Sequence, residues 1–331
     1  MKRIKLRKIK NFVRGFLKAV LLSGRYHRRE KALKRKYYVD SEKKGIQTTQ
    51  VVVMVDGRYL HGGLCDRLRG IAGVYGYCKE RKIPFYLHYV YPFRLETYLE
   101  PNRCDWRIGP DQISYHPQEA LPVVLTVRSL QSKMHRLYLN RIIAAYPHRQ
   151  LHVYTNTVLN DKHFSMNFSD LFKPSLRLQE AISDNLLRIG SSYVAMVFRF
   201  QQLLGDFKEG YFPTLSPEEG KRLMQTCIDK VDEIHSLRHP DAKVLVTSDS
   251  VTFLETVQRQ LAYVDIIPGK VVHVDFTLNA ENDVYLKSFL DLFMLSKARK
   301  VYLFQTGNMY HSGFAKRAAK IEDVPYEEII F

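Results

Sequence analysis

Along this chain, short apolar runs alternate with stretches in which apolar residues recur every three or four positions, a pattern that predicts strands and helices in turn. The runs predict strands at Val51 to Val55, Pro84 to Val90, Pro122 to Thr126, Leu151 to Tyr154, Tyr193 to Phe198, Lys243 to Thr247, Val271 to Val274 and Val301 to Phe304. Between them, helical periodicity covers Leu64 to Arg81, Ser129 to Tyr146, Pro217 to His235, Val251 to Leu261 and Asn282 to Ser296. Ser216-Pro217-Glu218-Glu219 has the marks of a helix start, with a hydroxyl cap, proline in the first turn and acids beside the positive helix end. Strands alternating with helices predict parallel sheets covered on both faces. A polar stretch from Asn156 to Asp170, followed by a helical pattern to Gly190, marks a hinge between two such domains. The expected organisation is a segment 1–47, an N-terminal domain 48–185 and a C-terminal domain 186–331.

Length supports this division, because 331 residues exceed what one hydrophobic core usually organises. Cys65, Cys78, Cys104 and Cys227 are scattered without a C-x-x-C pair, which argues against a zinc site and a disulfide framework and fits a reducing, cytoplasmic setting.

The net charge of +17 points to a polyanionic partner only if it is spread over the fold. It is not: residues 1–44 hold 17 Lys and Arg against Glu30, Asp40 and Glu42, so +14 of the +17 lies there and the body is nearly neutral. Nucleic-acid binding is therefore not expected. Within residues 1–22, Phe12, Val13, Phe16, Leu17, Val20, Leu21 and Leu22 interleave with Lys and Arg at near-helical spacing. This reads as a basic amphipathic helix suited to an anionic membrane interface, where each cation contributes about 1 kcal/mol. A solvated tail and a signal sequence are the alternatives, although Lys18 interrupts an apolar run already too short to span a bilayer.

Four segments carry candidate chemistry. The first runs from the strand ending at Asp56 through Gly62 and Gly63 into Arg67 and Arg69, joining a glycine pair, a helix start and two fixed cations. The second is the strand ending at Phe198 with Arg199 beyond it, followed by Gly205-Asp206; ligands in open α/β sheets bind past the carboxyl ends of strands. A third strand runs into Thr247-Ser248-Asp249-Ser250, where N-capping by Ser248 or Asp249 competes with a ligand role. Last comes Gly307 to Ala315, whose small residues suit a phosphate cradle or a plain turn.

In this order, the segments resemble the superfamily of fucosyltransferases that use GDP-fucose, which includes α1,2-, α1,6-, protein O- and nodulation fucosyltransferases. The resemblance covers about residues 50–320. Gly62-Gly63-Leu64-Cys65-Asp66-Arg67-Leu68 is similar to the G-G-L-x-x-R-L motif, and Val197-Phe198-Arg199 with Gly205-Asp206 to H-x-R-R-G-D. Thr247-Ser248-Asp249 is similar to the T-D-D or T-D-S segment, and His311 to Ala315 with Ala318-Ala319 to S-x-F-S…A-A. There are departures: Val197 stands at the histidine position, Phe200 at the second arginine, and Gln201 to Leu204 are extra.

The resemblance implies a GT-B fold, two Rossmann-like domains with an interdomain cleft, and metal-independent, inverting transfer from GDP-fucose or a related GDP-sugar to a glycan or lipid-linked saccharide. It implies Arg199 and Arg67 as catalytic cations, with Gly62, Gly63, Asp249, Ser312, Gly313 and Phe314 around the nucleotide sugar. Asp206, Glu209 and Asp66 are the candidate bases. Residues 1–44 would then place a peripheral enzyme at the cytoplasmic membrane face. A catalytically silent nucleotide-sugar or glycan binder of the same fold is the alternative.

Overall fold

A computed structural model describes residues 27–39, 41–126, 132–157, 159, 161–206, 213–272, 274 and 284–331. Residues 1–26 and Glu209 lie outside the described residues, as do the start of the expected helix at Ser129 and that at Asn282. No described helix is long and apolar enough to cross a membrane.

The described residues divide into two compact units: those up to 61, with 66–91 and 105–163, and those of 62–65, 92–104 and 164–331.

In the N-terminal unit, β1 (Gln50–Val55), β2 (Phe85–Tyr89), β4 (Ala120–Leu125) and β5 (Gln150–Thr155) form a parallel sheet in the order β2-β1-β5-β4. The chain moves from β1 to one side and returns on the other, so the order reverses between β1 and β5. Helices α2 (Leu64–Arg81) and α3 (Ser132–Ala145) make the crossovers. Gly70 lets α2 approach the sheet, since a Cβ there would sit 3.0 Å from the Thr155 carbonyl oxygen.

The segment expected to stand apart before residue 48 is partly built into this unit. Residues 27–37 form helix α1, which turns Glu30 and Leu33 inward, and Tyr38 just past its end is buried too. Leu33 and Tyr38 join a cluster with Val52, Met54 and Tyr154. Glu30 accepts the Val124 N–H of edge strand β4 at 3.0 Å and the Tyr138 hydroxyl of α3 at 2.9 Å. Arg58 lies between the rings of Tyr37 and Tyr115, 4.5 and 4.2 Å from their centroids, and fastens the end of α1. Downstream, the Lys44 and Gly45 N–H groups donate to Glu119 at 2.7 and 2.8 Å. Burying these apolar side chains and meeting an edge-strand donor outweighs the solvation of a lysine-rich segment whose charges remain outside.

In the C-terminal unit, β7 (Tyr193–Phe198), β8 (Lys243–Ser248), β9 (Val264–Ile266), β10 (Val301–Gln305) and β11 (Tyr326–Ile330) form a second parallel sheet in the order β11-β10-β7-β8-β9. Helices α6 (Pro217–Arg238), α7 (Val251–Gln260), α8 (Leu286–Ser296) and α9 (Phe314–Ala319) connect these strands. Here the order reverses between β7 and β10. The expected capping at Ser216 is reciprocal, with Ser216 Oγ accepting the Glu219 N–H and Glu219 accepting the Ser216 N–H.

The division between the units falls at 163/164 rather than 185/186. Helices α4 (Phe164–Leu171) and α5 (Leu176–Ile189) and strand β6 (Phe172–Pro174) belong to the C-terminal unit, because β6 pairs antiparallel with β3 (Leu99–Pro101) and α5 packs on α8. The strand expected at Val271 to Val274 is not formed at its described residues. The edge position is taken instead by β9, and Pro268 with Gly269, at φ +112°, turns the chain away.

Candidate functional site

The reversal between β7 and β10 leaves a crevice at the carboxyl ends of these strands, the place where open parallel sheets receive ligands. Arg199 follows β7 directly, Asp249 follows β8, and the loop 306–313 follows β10.

Asp249 is buried and holds Arg199 in place. Its Oδ2 lies 3.3 Å from Arg199 Nη1, while its two oxygens also accept the Phe200 N–H at 2.9 Å and the Gln201 N–H at 2.7 Å. Gln201 adopts φ +54°, a conformation that non-glycine residues rarely enter, and the paired N–H bonds hold the turn there. Burial raises the Asp249 carboxyl above its ordinary range, opposed by Arg199 and by these N–H groups. The Arg199 side chain keeps 17% of its surface open to solvent, so a strand-end guanidinium is oriented by a carboxylate that is itself closed off. The other strand contributes too: the Tyr310 N–H donates to the Arg199 carbonyl oxygen at 3.1 Å, fixing the 306–313 loop against this residue.

Ser312 is buried and its Oγ accepts the Phe314 N–H at 3.2 Å, while Gly313 is exposed at the start of α9. Structure and sequence thus agree in bringing Arg199, Asp249 and the 306–313 loop to the carboxyl ends of adjacent strands.

Arg67 is a buried residue of α2, donating to the Tyr89 hydroxyl at 3.1 Å and to the Tyr91 carbonyl oxygen at 3.0 Å. Gly62, at φ +84°, and Gly63 form the turn into that helix. Asp66 is ion-paired with Arg69 at 2.7 Å. Asp206 Oδ2 accepts the Thr252 N–H and the Ser250 hydroxyl, both at 2.9 Å, so it closes the first turn of α7. The cap of α7 is Ser250, whose Oγ accepts the Phe253 N–H at 3.1 Å, rather than Ser248 or Asp249. Among the described residues, no group of three or more His, Cys, Asp or Glu side chains could hold a metal ion.

The two departures from the motif have a structural account. Phe200 is fully buried, stacked with Phe198 at 6.1 Å between centroids and tilted on Phe253 at 4.9 Å, and Val197 is buried in β7. Leu203, one of the extra residues, joins the same core, and Gly205 closes the turn at φ +82°. Where the resembled motif is polar, these positions are hydrophobic core, and Arg199 is the cation at the end of β7. Sequence reading missed the role of Asp249 as the anchor of Arg199; its N–H partners are one residue and two residues beyond Arg199, a geometry that no linear spacing announces.

Comparison with solved structures gives the fold independently. NodZ α-1,6-fucosyltransferase soaked with GDP-fucose aligns over 83% of this chain and 92% of its own, with a TM-score of 0.53 and 12% identity. The chain has the fold of this fucosyltransferase. NodZ from Bradyrhizobium aligns with a TM-score of 0.51 at 12% identity, over 82% and 91% of the two chains. A mutant of FUT1 from Arabidopsis thaliana in complex with GDP aligns with a TM-score of 0.53 at 11% identity, over 91% of this chain and 73% of its own. The expected two-domain GT-B fold class thus holds in its two Rossmann-like units. No protein-family model matches the chain, and no curated protein matches its sequence.

Proposed function

We propose that this protein is an inverting, metal-independent glycosyltransferase of fucosyltransferase type, moving L-fucose from GDP-fucose, or the sugar of a related GDP-hexose, to a hydroxyl of a glycan or lipid-linked saccharide in polysaccharide biosynthesis. The observation that carries the reading is Arg199, oriented by Asp249 at the strand-end crevice of a unit whose fold is shared with a transferase soaked with GDP-fucose. Breaking the bond between sugar and β-phosphate builds negative charge on GDP as an oxocarbenium-like centre forms. A guanidinium already held by a buried carboxylate stabilises that charge in the transition state more than in the ground state and reorganises little as the reaction proceeds. Ser312, Gly313 and Phe314 are assigned to the diphosphate, and Asp249 acts by holding Arg199.

Arg67 is proposed as the second cation of the reaction, its guanidinium held by the Tyr89 hydroxyl and the Tyr91 carbonyl oxygen. Inversion calls for a base that takes the acceptor proton. Asp66, Asp206 and Glu209 remain the nominees, and the commitment of Asp206 to α7 and of Asp66 to Arg69 favours a search by substitution over assignment from sequence. The basic N-terminal segment is assigned to an anionic membrane surface at the cytoplasmic face, where a lipid-linked acceptor would be met.

The test is calorimetric titration with GDP and GDP-fucose, without added metal, on the protein and its Arg199→Ala variant. Binding that weakens about tenfold or more in the variant is expected from a charge-assisted contact. Absence of binding to either nucleotide in the unmodified protein would remove the transferase reading. The burial of Val197 and Phe200 favours a second reading, a catalytically silent binder of the same fold; GDP-fucose binding with no hydrolysis and no transfer across an acceptor screen would select it.

A further inference from the structure

We infer that the outward faces of α1 and α3 form a folded docking surface for an anionic lipid bilayer, acting together with the chain that precedes them. The inference rests on the membrane reading above and deepens it, by moving part of the contact from the N-terminal segment onto the folded unit.

Helix α1 is sharply divided. Its inward positions are Glu30 and Leu33, both buried. Its exposed positions include Arg28, Lys31, Lys34 and Arg35, and no acid is among them. Helix α3 contains neither Asp nor Glu, and it exposes Lys133, Leu137 and Arg141 in a row with four-residue spacing, which places them on one face. Glu80, which bonds Arg136 of this helix, is also paired with Arg81.

The two helices adjoin. Tyr138 of α3 donates to Glu30 of α1, and Lys34 Nζ lies 5.9 Å from the ring centroid of Tyr146, just past α3. The cations therefore belong to one folded unit, held by the Glu30 bonds and by Arg58 between Tyr37 and Tyr115.

Charge alone would fit any polyanion, and the apolar residues decide the partner. Leu137 is 66% exposed between Lys133 and Arg141, and Tyr146 is 37% exposed beside Lys34. An aliphatic tip and an amphipathic ring flanked by cations suit the interface of a bilayer, where the tips enter the acyl boundary and the cations meet phosphate and carboxylate headgroups. A phosphodiester backbone offers those tips no such boundary. The preceding sequence continues the pattern, with Phe12, Phe16, Leu17 and Leu21 among Lys and Arg. A single weakly held segment gives marginal, reversible binding, and a second cationic surface on the same chain raises the joint affinity.

Co-sedimentation tests this with vesicles of phosphatidylcholine alone and of phosphatidylcholine with phosphatidylserine. Four proteins are compared: the full chain, the chain lacking residues 1–26, that truncated chain with Arg28→Glu, Lys31→Glu and Arg35→Glu, and that truncated chain with Leu137→Ser. Thermal unfolding confirms that each is folded. The truncated chain is expected to keep salt-sensitive binding to the phosphatidylserine vesicles, and charge reversal to weaken it roughly 100-fold. Leu137→Ser is expected to weaken it several-fold. Full-chain binding that disappears entirely on truncation would overturn the folded surface while leaving the N-terminal segment as the anchor. Absence of binding by the full chain would overturn both. Truncated protein that binds duplex DNA more tightly than vesicles, with no effect of Leu137→Ser, would reassign the surface to nucleic acid.

Discussion

Arg199 and Asp249 meet across the ends of adjacent parallel strands, 3.3 Å apart, and the carboxylate that orients the guanidinium also holds the turn that follows it. One buried acid therefore sets both the direction of a cation and the path of the chain beyond β7. Asp249→Asn keeps the side-chain shape but removes the charge and one acceptor oxygen. It is expected to cost about 1–3 kcal/mol of stability, and to weaken GDP binding nearly as much as Arg199→Ala does. Arg199→Ala should lower GDP affinity with a smaller effect on stability, since its side chain is partly exposed. Denaturant unfolding and calorimetry on both variants check this, and an Asp249→Asn protein with full GDP affinity would separate the two residues.

The burial of Phe200 predicts that a second arginine cannot be installed beside Arg199 by one change. Phe200→Arg would put a charge into the stack with Phe198 and Phe253, and a loss of about 3–5 kcal/mol is expected with no gain in transfer. Soluble yield and urea unfolding report the outcome. A folded Phe200→Arg protein with raised activity would show that this side chain can turn into the crevice.

Gly70 gives a prediction in which two effects oppose. Alanine is favoured over glycine inside a helix by about 1 kcal/mol, but its Cβ would stand 3.0 Å from the Thr155 carbonyl oxygen and 3.2 Å from the Asn156 Cα. Backbone atoms cannot swing aside as a flexible side chain does, so an overpacking cost of about 1–3 kcal/mol should prevail. Gly70→Ala is expected to lower the melting temperature, and an unchanged or raised value would show that α2 can retreat from β5.

The N-terminal unit should lose stability in mild acid through His152. This ring is fully buried, with Nδ1 2.7 Å from the Tyr38 hydroxyl and Nε2 2.7 Å from Gln150 Oε1, and burial lowers its pKa from 6.5 to about 3. Above pH 6.5 both folded and unfolded states hold it neutral and its contribution is complete. Below that, the unfolded chain binds a proton that the folded chain refuses, so stability falls as pH drops from 6.5 toward 3, by about 2 kcal/mol at pH 5. Unfolding curves at neutral pH and at pH 5 should show this slope, and His152→Gln should flatten it.

Much of this architecture was legible in the sequence because it was written with a clear period. The strands around Val51, Val123, Val153, Val194, Val244 and Val301 are buried on both faces of parallel sheets, so they read as apolar runs, while the edge strand at Phe85 alternates buried and half-buried residues. The short strands β3, β6 and β9 have three residues each, too few to establish a pattern. β11 reads Tyr-Glu-Glu-Ile-Ile, with charges that suit a sheet edge and obscure the alternation. Arg199 was legible as a strand-end cation. Its dependence on Asp249, 50 residues later, was not, because pairing of β7 with β8 is a tertiary fact. The docking of α1 was hidden for a different reason: a run of lysine and arginine reads as solvated chain, and its inward Glu30, Leu33 and Tyr38 are outnumbered.

That docking bears on how the protein stays dispersed. By taking the Val124 N–H, Glu30 of a charged helix occupies a donor that edge strand β4 would otherwise offer to its neighbours. A chain trimmed to begin at Gln50 would keep every strand of its first sheet, yet present β4 as a template for other copies. The lysine-rich helix thus acts as an intramolecular guard against self-association, and what shortening the chain endangers first is its solubility.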